Sequence, residues 1–305
     1  MPTPGSPTTP PLISARPLTL AGGERGEPLQ VKITAPIAGE HLPVVVFSHG
    51  FGGSHDGYAP LIESWAARGL VVIQPTHLDS RTLELPPDDA RTPHIWRLRV
   101  SDLVDVIDSL EGLVAAVPGL AGRVDVRRIA VAGHSWGAQT AGMLLGARVL
   151  DAEGRSGDDL RDPRVTAGVL LAAAGTGDTL SAFAANNFPF MRPDFTGVTT
   201  SALVVAGDHD QSPLTTRGPD WFTDAYTLSP SPKSLLTLFG AEHSLGGISG
   251  YGVTETTDEN PERVALVAAL TGAYLATALG ADDAAWSDAV QKVAQTDAIG
   301  AVSSK

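Results

Sequence analysis

The sequence predicts one α/β domain built on a doubly wound, mostly parallel sheet with helices on both faces. Three observations predict it. Apolar runs of strand length alternate with segments of helical spacing along most of the chain. Some of these runs, such as LPVVVFS at residues 42–48, are apolar throughout, as suits strands covered on both faces. A serine also sits in a sharp turn, Gly133-His134-Ser135-Trp136-Gly137, between a short apolar strand and a small-residue helix.

Composition bounds the partners. A chain of 305 residues, 43% hydrophobic and 18% charged, has the make-up of a globular protein with a substantial core. No stretch approaches the roughly 18 apolar residues of a membrane span. The start, MPTPGSPTTPPLIS, shows neither a basic end nor an apolar segment, so a cytoplasmic location is expected unless a leader has been removed. A net charge of −13 argues against nucleic acid as a partner. Cysteine is absent, which excludes disulfides and thiolate metal sites. The acidic pairs Asp88, Asp89 and Asp158, Asp159 read as solvated loop residues, and no metal site is expected.

Taken in order, residues 1–16 are rich in Pro, Ser and Thr and read as a loose arm. The domain proper is expected over residues 17–280. It opens with LQVKI at 29–33, an early edge strand, followed by the apolar run at 42–48. Leu61, Ile62, Trp65 and Ala66 fall on one helical face before Gly69, and residues 70–74 form the next buried strand. A proline-containing insertion, 77–96, precedes a helix marked by Val100, Leu103, Val104, Ile107 and Leu110. The strand at 128–132 leads to Ser135 and a helix from about 138. Strands follow at 165–173, 202–206 and 235–239, with a closing helix at 262–279. Residues 174–200 form an irregular cover containing Phe183, Phe188 and Phe190, and 281–305 a weakly helical tail. Loop aromatics of this kind are more often packed cover than binding surface.

The chemistry rests on Ser135. A strand-to-helix turn holds its serine in a left-handed backbone, with flanking glycines that remove side chains from the crossing, and so projects the hydroxyl outward. A hydroxyl needs a base to take its proton and a third group to orient that base. The sequence supplies candidates in the order serine, acid, histidine, each beyond a strand: Gly207-Asp208-His209-Asp210, then Gly240-Ala241-Glu242-His243. Of the eight histidines, His243 alone follows the last expected strand and is the expected base, while His134 should point into the structure. Spacing does not separate Asp208 from Asp210; the extra reach of a loop two residues longer favours Asp210. A developing oxyanion needs backbone donors. Trp136, after the nucleophile, is one, and Phe51, in the glycine loop HGFGG at 49–53, the other.

HGFGG, GHSWG, GDHD followed by Pro213, and AEH, in that order, resemble the α/β-hydrolase superfamily over about residues 29–279. The resemblance is greatest to the branch holding dienelactone-hydrolase-like proteins, platelet-activating-factor acetylhydrolase, chlorophyllase and cutinase-like polyester hydrolases. It implies the α/β-hydrolase fold with a sheet of about eight strands, no cofactor, and hydrolysis of carboxylic esters. The branch pattern of Gly, two residues, Asp, then Pro maps onto Gly207, Asp210 and Pro213 and supports Asp210. The chain departs from dienelactone hydrolases proper, whose nucleophile is cysteine.

The expected activity is that of a serine carboxylesterase with Ser135, Asp210 and His243 as its triad. Its substrates would be small-molecule or polymeric esters, uncharged and moderately hydrophobic, held by Phe51, Trp136, His77, Phe183 and Phe188. An acyltransferase with the same triad, a polyester or chlorophyll-type hydrolase, or a silent binding module are the alternatives. A binding module should have lost a triad member, and none is missing.

Overall fold

The computed structural model describes residues 10–86, 88–250, 253–295 and 299–305. In chain order its elements are β1 (Leu12–Leu20), β2 (Leu29–Pro36), β3 (Leu42–Ser48), α1 (Ala59–Ala67), β4 (Val71–Pro75), α2 (Ile95–Asp108), α3 (Leu110–Ala115) and β5 (Val124–His134). Then come α4 (Trp136–Leu144), β6 (Arg148–Val149), β7 (Val165–Leu171), α5 (Ala182–Asn187), β8 (Pro193–Asp194) and β9 (Ser201–Gly207). The chain closes with α6 (Asp224–Thr227), β10 (Lys233–Leu238), α7 (Pro261–Ala278), α8 (Ala285–Ala294) and β11 (Gly300–Ser304). Among the described residues no helix is long and apolar enough to cross a membrane.

Apolar runs become strands because side chains alternate across the sheet, so a strand covered on both sides must be apolar at every position. In β3, Val44 and Val46 pack with Leu103 and Val106 of α2 and Ala141 and Leu144 of α4. Val45 and Phe47 face the other layer, with Leu61 and Trp65 of α1 and Val267 and Leu275 of α7. The doubly wound arrangement follows from this two-sided burial.

Among the described residues nine strands join in one sheet, close to the eight expected, in the order β1-β2-β4-β3-β5-β7-β9-β10-β11. From β4 to β10 neighbours run parallel; β1, β2 and β11 are antiparallel additions at the two edges. The parallel core brings the carboxyl ends of β3, β5, β9 and β10 to one edge, so the loops that follow them meet there.

Two stretches differ from expectation. The N-terminal arm is a strand from Leu12 onward, paired with β2 from Leu12 opposite Pro36 to Leu20 opposite Leu29. Pro17, which cannot donate to a ladder, falls at the irregularity between Ala15 and Leu18 of this edge strand, where its missing N–H is tolerated. β1, not β2, is therefore the edge. At the other end the tail forms α8, with Trp286 packed edge-on against Tyr274 at 5.3 Å, and then β11, which pairs with β10 from Ser234 opposite Ser304 to Leu238 opposite Gly300. An edge strand such as GAVSS is specified by its neighbour's unpaired backbone, and so carries little apolar signal of its own.

Candidate active site

β5 delivers the chain to Ser135, whose φ of 55° and ψ of −120° form the turn into α4. The two glycines of the turn are dictated by contact. A Cβ on Gly133 would lie 2.2 Å from the Gly137 carbonyl oxygen, and one on Gly137 would lie 2.0 Å from the carbonyl oxygen of Ser48, at the end of β3. The Ser135 amide donates to Leu171 of β7 at 2.9 Å, which anchors the turn to the next strand.

The loops after β9 and β10 bring Asp210 and His243 to the same place. The His243 Nδ1–H donates to Asp210 Oδ2 at 2.9 Å, and His243 Nε2 accepts from the Ser135 hydroxyl at 2.8 Å. Asp210 is fully buried; burial pushes its carboxyl above the ordinary carboxylate range, while the hydrogen bond and charge of His243 pull it down. Its second oxygen, Oδ1, has no partner among the described residues. Asp208 is exposed and occupied elsewhere, accepting from the Gly240 amide at 2.6 Å.

His243 is held from behind. His134 Nε2 donates to the His243 carbonyl at 2.9 Å, and its Nδ1 accepts from the Tyr58 hydroxyl at 2.9 Å. Burial, with the His243 ring acting in the same direction, lowers the His134 pKa to about 3, so this ring is neutral. Asp258 accepts from the Glu242 and Gly246 amides, both at 2.9 Å, and closes the loop that carries His243.

In the glycine loop after β3, the Gly50 amide donates to Tyr58 Oη at 3.0 Å, Gly52 to Asp79 Oδ2 at 3.1 Å, and Gly53 to the Gly50 carbonyl at 3.1 Å. Among the described residues the Phe51 amide has no acceptor. Neither has the amide of Trp136, the first residue of α4, whose position leaves it without an intrahelical partner. These are the two amides that the sequence singles out.

A cavity of about 570 Å³ opens over Ser135 and His243, walled by Phe51, Tyr58, Arg81, Ser249, Val253 and Glu255. Four of the residues expected in its wall are elsewhere. His77 is fully buried behind the glycine loop, bonded to Ser48 and Asp102. Trp136 is buried between Phe51 and Phe190, at ring distances of 5.8 and 5.2 Å. Phe183 and Phe188 continue that row outward, 5.9 Å apart, with Phe188 standing 6.1 Å from Phe190. A row of aromatics leads away from the cavity, because the cover over residues 174–200 packs on Trp136 and not over Ser135. No sequence pattern marks Arg81 or Glu255, whose ion pair spans the rim at 2.5 Å between segments distant in sequence. The sequence did hold a sign of Arg99 and Asp102: both fall on the apolar stripe of α2, at three- and four-residue spacing with Leu103 and Val106, and both are buried. No group of three or more His, Asp or Glu that could hold a metal ion occurs among the described residues.

Residues 22–84 match the family of platelet-activating factor acetylhydrolase, isoform II. The matched segment runs from before β2 into the insertion after β4, and so contains the glycine loop but none of Ser135, Asp210 and His243. No curated protein matches the chain. The order of strands, the turn at Ser135 and this match give the chain an α/β-hydrolase fold and a resemblance to the platelet-activating-factor acetylhydrolase branch of that superfamily.

Proposed function

We propose that the protein hydrolyses carboxylic esters through an acyl-enzyme on Ser135. The observation that carries this reading is the unbroken hydrogen-bonded chain from buried Asp210 through His243 to the Ser135 hydroxyl. His243 takes the Ser135 proton as Oγ attacks the ester carbonyl, and Asp210 keeps the imidazole in the tautomer that can do so. The amides of Phe51 and Trp136 receive the oxyanion, each worth roughly 3 kcal/mol in the transition state. His243 then protonates the leaving alcohol, and water, deprotonated by the same ring, releases the acid. The matched family is named for an acetylhydrolase, which supports cleavage of an ester bond.

The cavity favours uncharged esters. Its two charged wall residues, Arg81 and Glu255, are paired with each other, so a charged substrate would have to break that pair. Phe51, with the glycines beside it, offers the apolar surface for the acyl or alcohol part. The test is covalent labelling by a fluorophosphonate together with hydrolysis of p-nitrophenyl esters. Wild type should label once and turn over, and Ser135→Ala should do neither. Labelling retained in Ser135→Ala would sink the proposal.

A further inference from the structure

Behind the glycine loop lies a second serine, histidine and aspartate in series. Ser48 Oγ donates to His77 Nε2 at 2.8 Å, and His77 Nδ1 donates to Asp102 Oδ2 at 2.8 Å. No substrate reaches these side chains, since Ser48 and His77 are fully buried and Asp102 nearly so. The series ends at a guanidinium on either side. Asp102 Oδ1 accepts from Arg25 at 3.1 Å, and Ser48 Oγ accepts from Arg99 Nη2 at 3.2 Å. With Asp79 facing Arg99 at 2.5 Å, two buried cations meet two buried carboxylates.

Arg99 uses the full fork of its guanidinium. Its Nη2 also donates to the His49 carbonyl, Nη1 donates to Asp79 Oδ1, and Nε donates to Thr140 Oγ1 at 3.1 Å. The guanidinium carbon lies 4.9 Å from the centre of the Trp136 ring, and Thr140 in turn donates to the Trp136 carbonyl at 3.0 Å. Asp79 passes the restraint on to the Gly52 amide through its other oxygen. The peptide groups on either side of the Phe51 amide are thus tied down, while that amide is left free. One side chain touches both the glycine loop and the first turn of α4.

We propose that Arg99 is a positioning residue that sets the Phe51 and Trp136 amides at the spacing an oxyanion requires. This rests on the ester-hydrolase reading of Ser135. The planar fork is what the geometry demands: an ammonium at this site could satisfy the His49 carbonyl or Asp79, not the whole set.

The test compares Arg99→Lys and Asp79→Asn with wild type by kcat, KM, the pH profile of kcat/KM, and the affinity for a trifluoromethyl ketone, which forms an oxyanion on Ser135. Arg99→Lys should lower kcat about 100-fold and weaken the ketone by a similar factor, the loss typical of a displaced or missing donor. KM and the pH midpoint should stay unchanged, because Ser135, His243 and Asp210 are untouched. Asp79→Asn, which keeps an acceptor for the Gly52 amide, should show the same pattern at about 10-fold. A purely structural role would lower the melting temperature of both variants and leave kcat per titrated site within about 3-fold of wild type; that result overturns the proposal. If Arg99→Lys does not fold, Asp79→Asn decides by the same criteria. If wild type neither labels nor cleaves esters, the hydrolase reading has failed. Hydrogen exchange of the Gly50 to Gly53 amides then decides whether Arg99 braces this loop: faster exchange in Arg99→Lys supports the brace, and unchanged exchange overturns it.

Discussion

His243 Nε2 lies 2.8 Å from Ser135 Oγ across a separation of 108 residues. Neither side chain owes this position to its own neighbours in sequence; each stands at the carboxyl edge of a parallel strand, and β5 and β10 are joined through β7 and β9. In the proposed mechanism a hydrogen bond of this length gives the hydroxyl its base before any substrate arrives, and the choice between the two nearby aspartates becomes a measurable question.

Asp210→Asn should lower kcat by a factor on the order of 10⁴, since an amide can stabilise the wrong imidazole tautomer. Asp208→Asn should change kcat by no more than about 3-fold, because its exposed carboxylate accepts from the Gly240 amide and makes no contact with His243 among the described residues. Steady-state rates on p-nitrophenyl acetate, normalised by site titration, measure both. Equal losses would mean that the aspartates share the role.

Stability should fall on acidification in a way traceable to histidines. Burial, which outweighs every neighbouring charge in each case, holds His49 down to about 4, His134 to about 3, and His77 well below the ordinary 6.5. The unfolded chain therefore binds protons below about pH 6.5 that the folded protein refuses until its own lowered values are reached. Over that window each ring costs roughly 1.4 kcal/mol per pH unit as the pH falls. Urea denaturation between neutral and mildly acid pH should show this slope, and His134→Asn should reduce it by one proton. An unaltered slope would show that His134 is not buried neutral.

Gly137→Ala should fail at the level of folding. The added methyl would stand 2.0 Å from the Ser48 carbonyl, between β3 and the start of α4, where neither backbone can retreat. A loss of about 3 kcal/mol or more is expected, read from chemical denaturation or as a collapse in soluble yield. A normally stable Gly137→Ala protein would be incompatible with the close packing of this turn on β3.

Phe51→Ala separates the two contributions of one residue. Phe51 as a whole is 62% exposed and belongs to the cavity wall; its backbone amide is retained, whereas its ring is lost. Raised KM for longer acyl esters, by about 10-fold, with kcat nearly unchanged, is the expected split. Trp136→Ala should act differently, lowering stability through its buried contacts with Phe51, Phe190 and Arg99. A chain-length profile untouched by Phe51→Ala would remove this ring from the binding surface.

Much of the sheet was legible because burial on both faces writes itself into sequence as uninterrupted apolar runs. The strand at 42–48 and the helix near 262–279 are recovered within a residue or so of their observed bounds. The edge strands β1 and β11 were not legible, since one carries a proline and the other little apolar character, and both are held by backbone pairing to a neighbour distant in sequence. Likewise Phe51 could be placed at the site from its glycine loop, but His77, Phe183 and Phe188 could not be placed at all, because a loop's direction depends on what it packs against.

By itself the sequence determined which residue types stand at the ends of which strands: a serine in a turn flanked by glycines, then the pair Asp208 and Asp210, then His243, and a glycine loop after β3. It did so because strand length, two-sided burial and steric exclusion at a tight turn are local demands, met residue by residue. Only the tertiary structure decided that Asp210 and not Asp208 faces the imidazole, that Arg81 and Glu255 close the rim, and that Arg99 is buried against both halves of the site. Those facts depend on direction and distance between segments that meet only after the sheet has formed, and no local pattern encodes them.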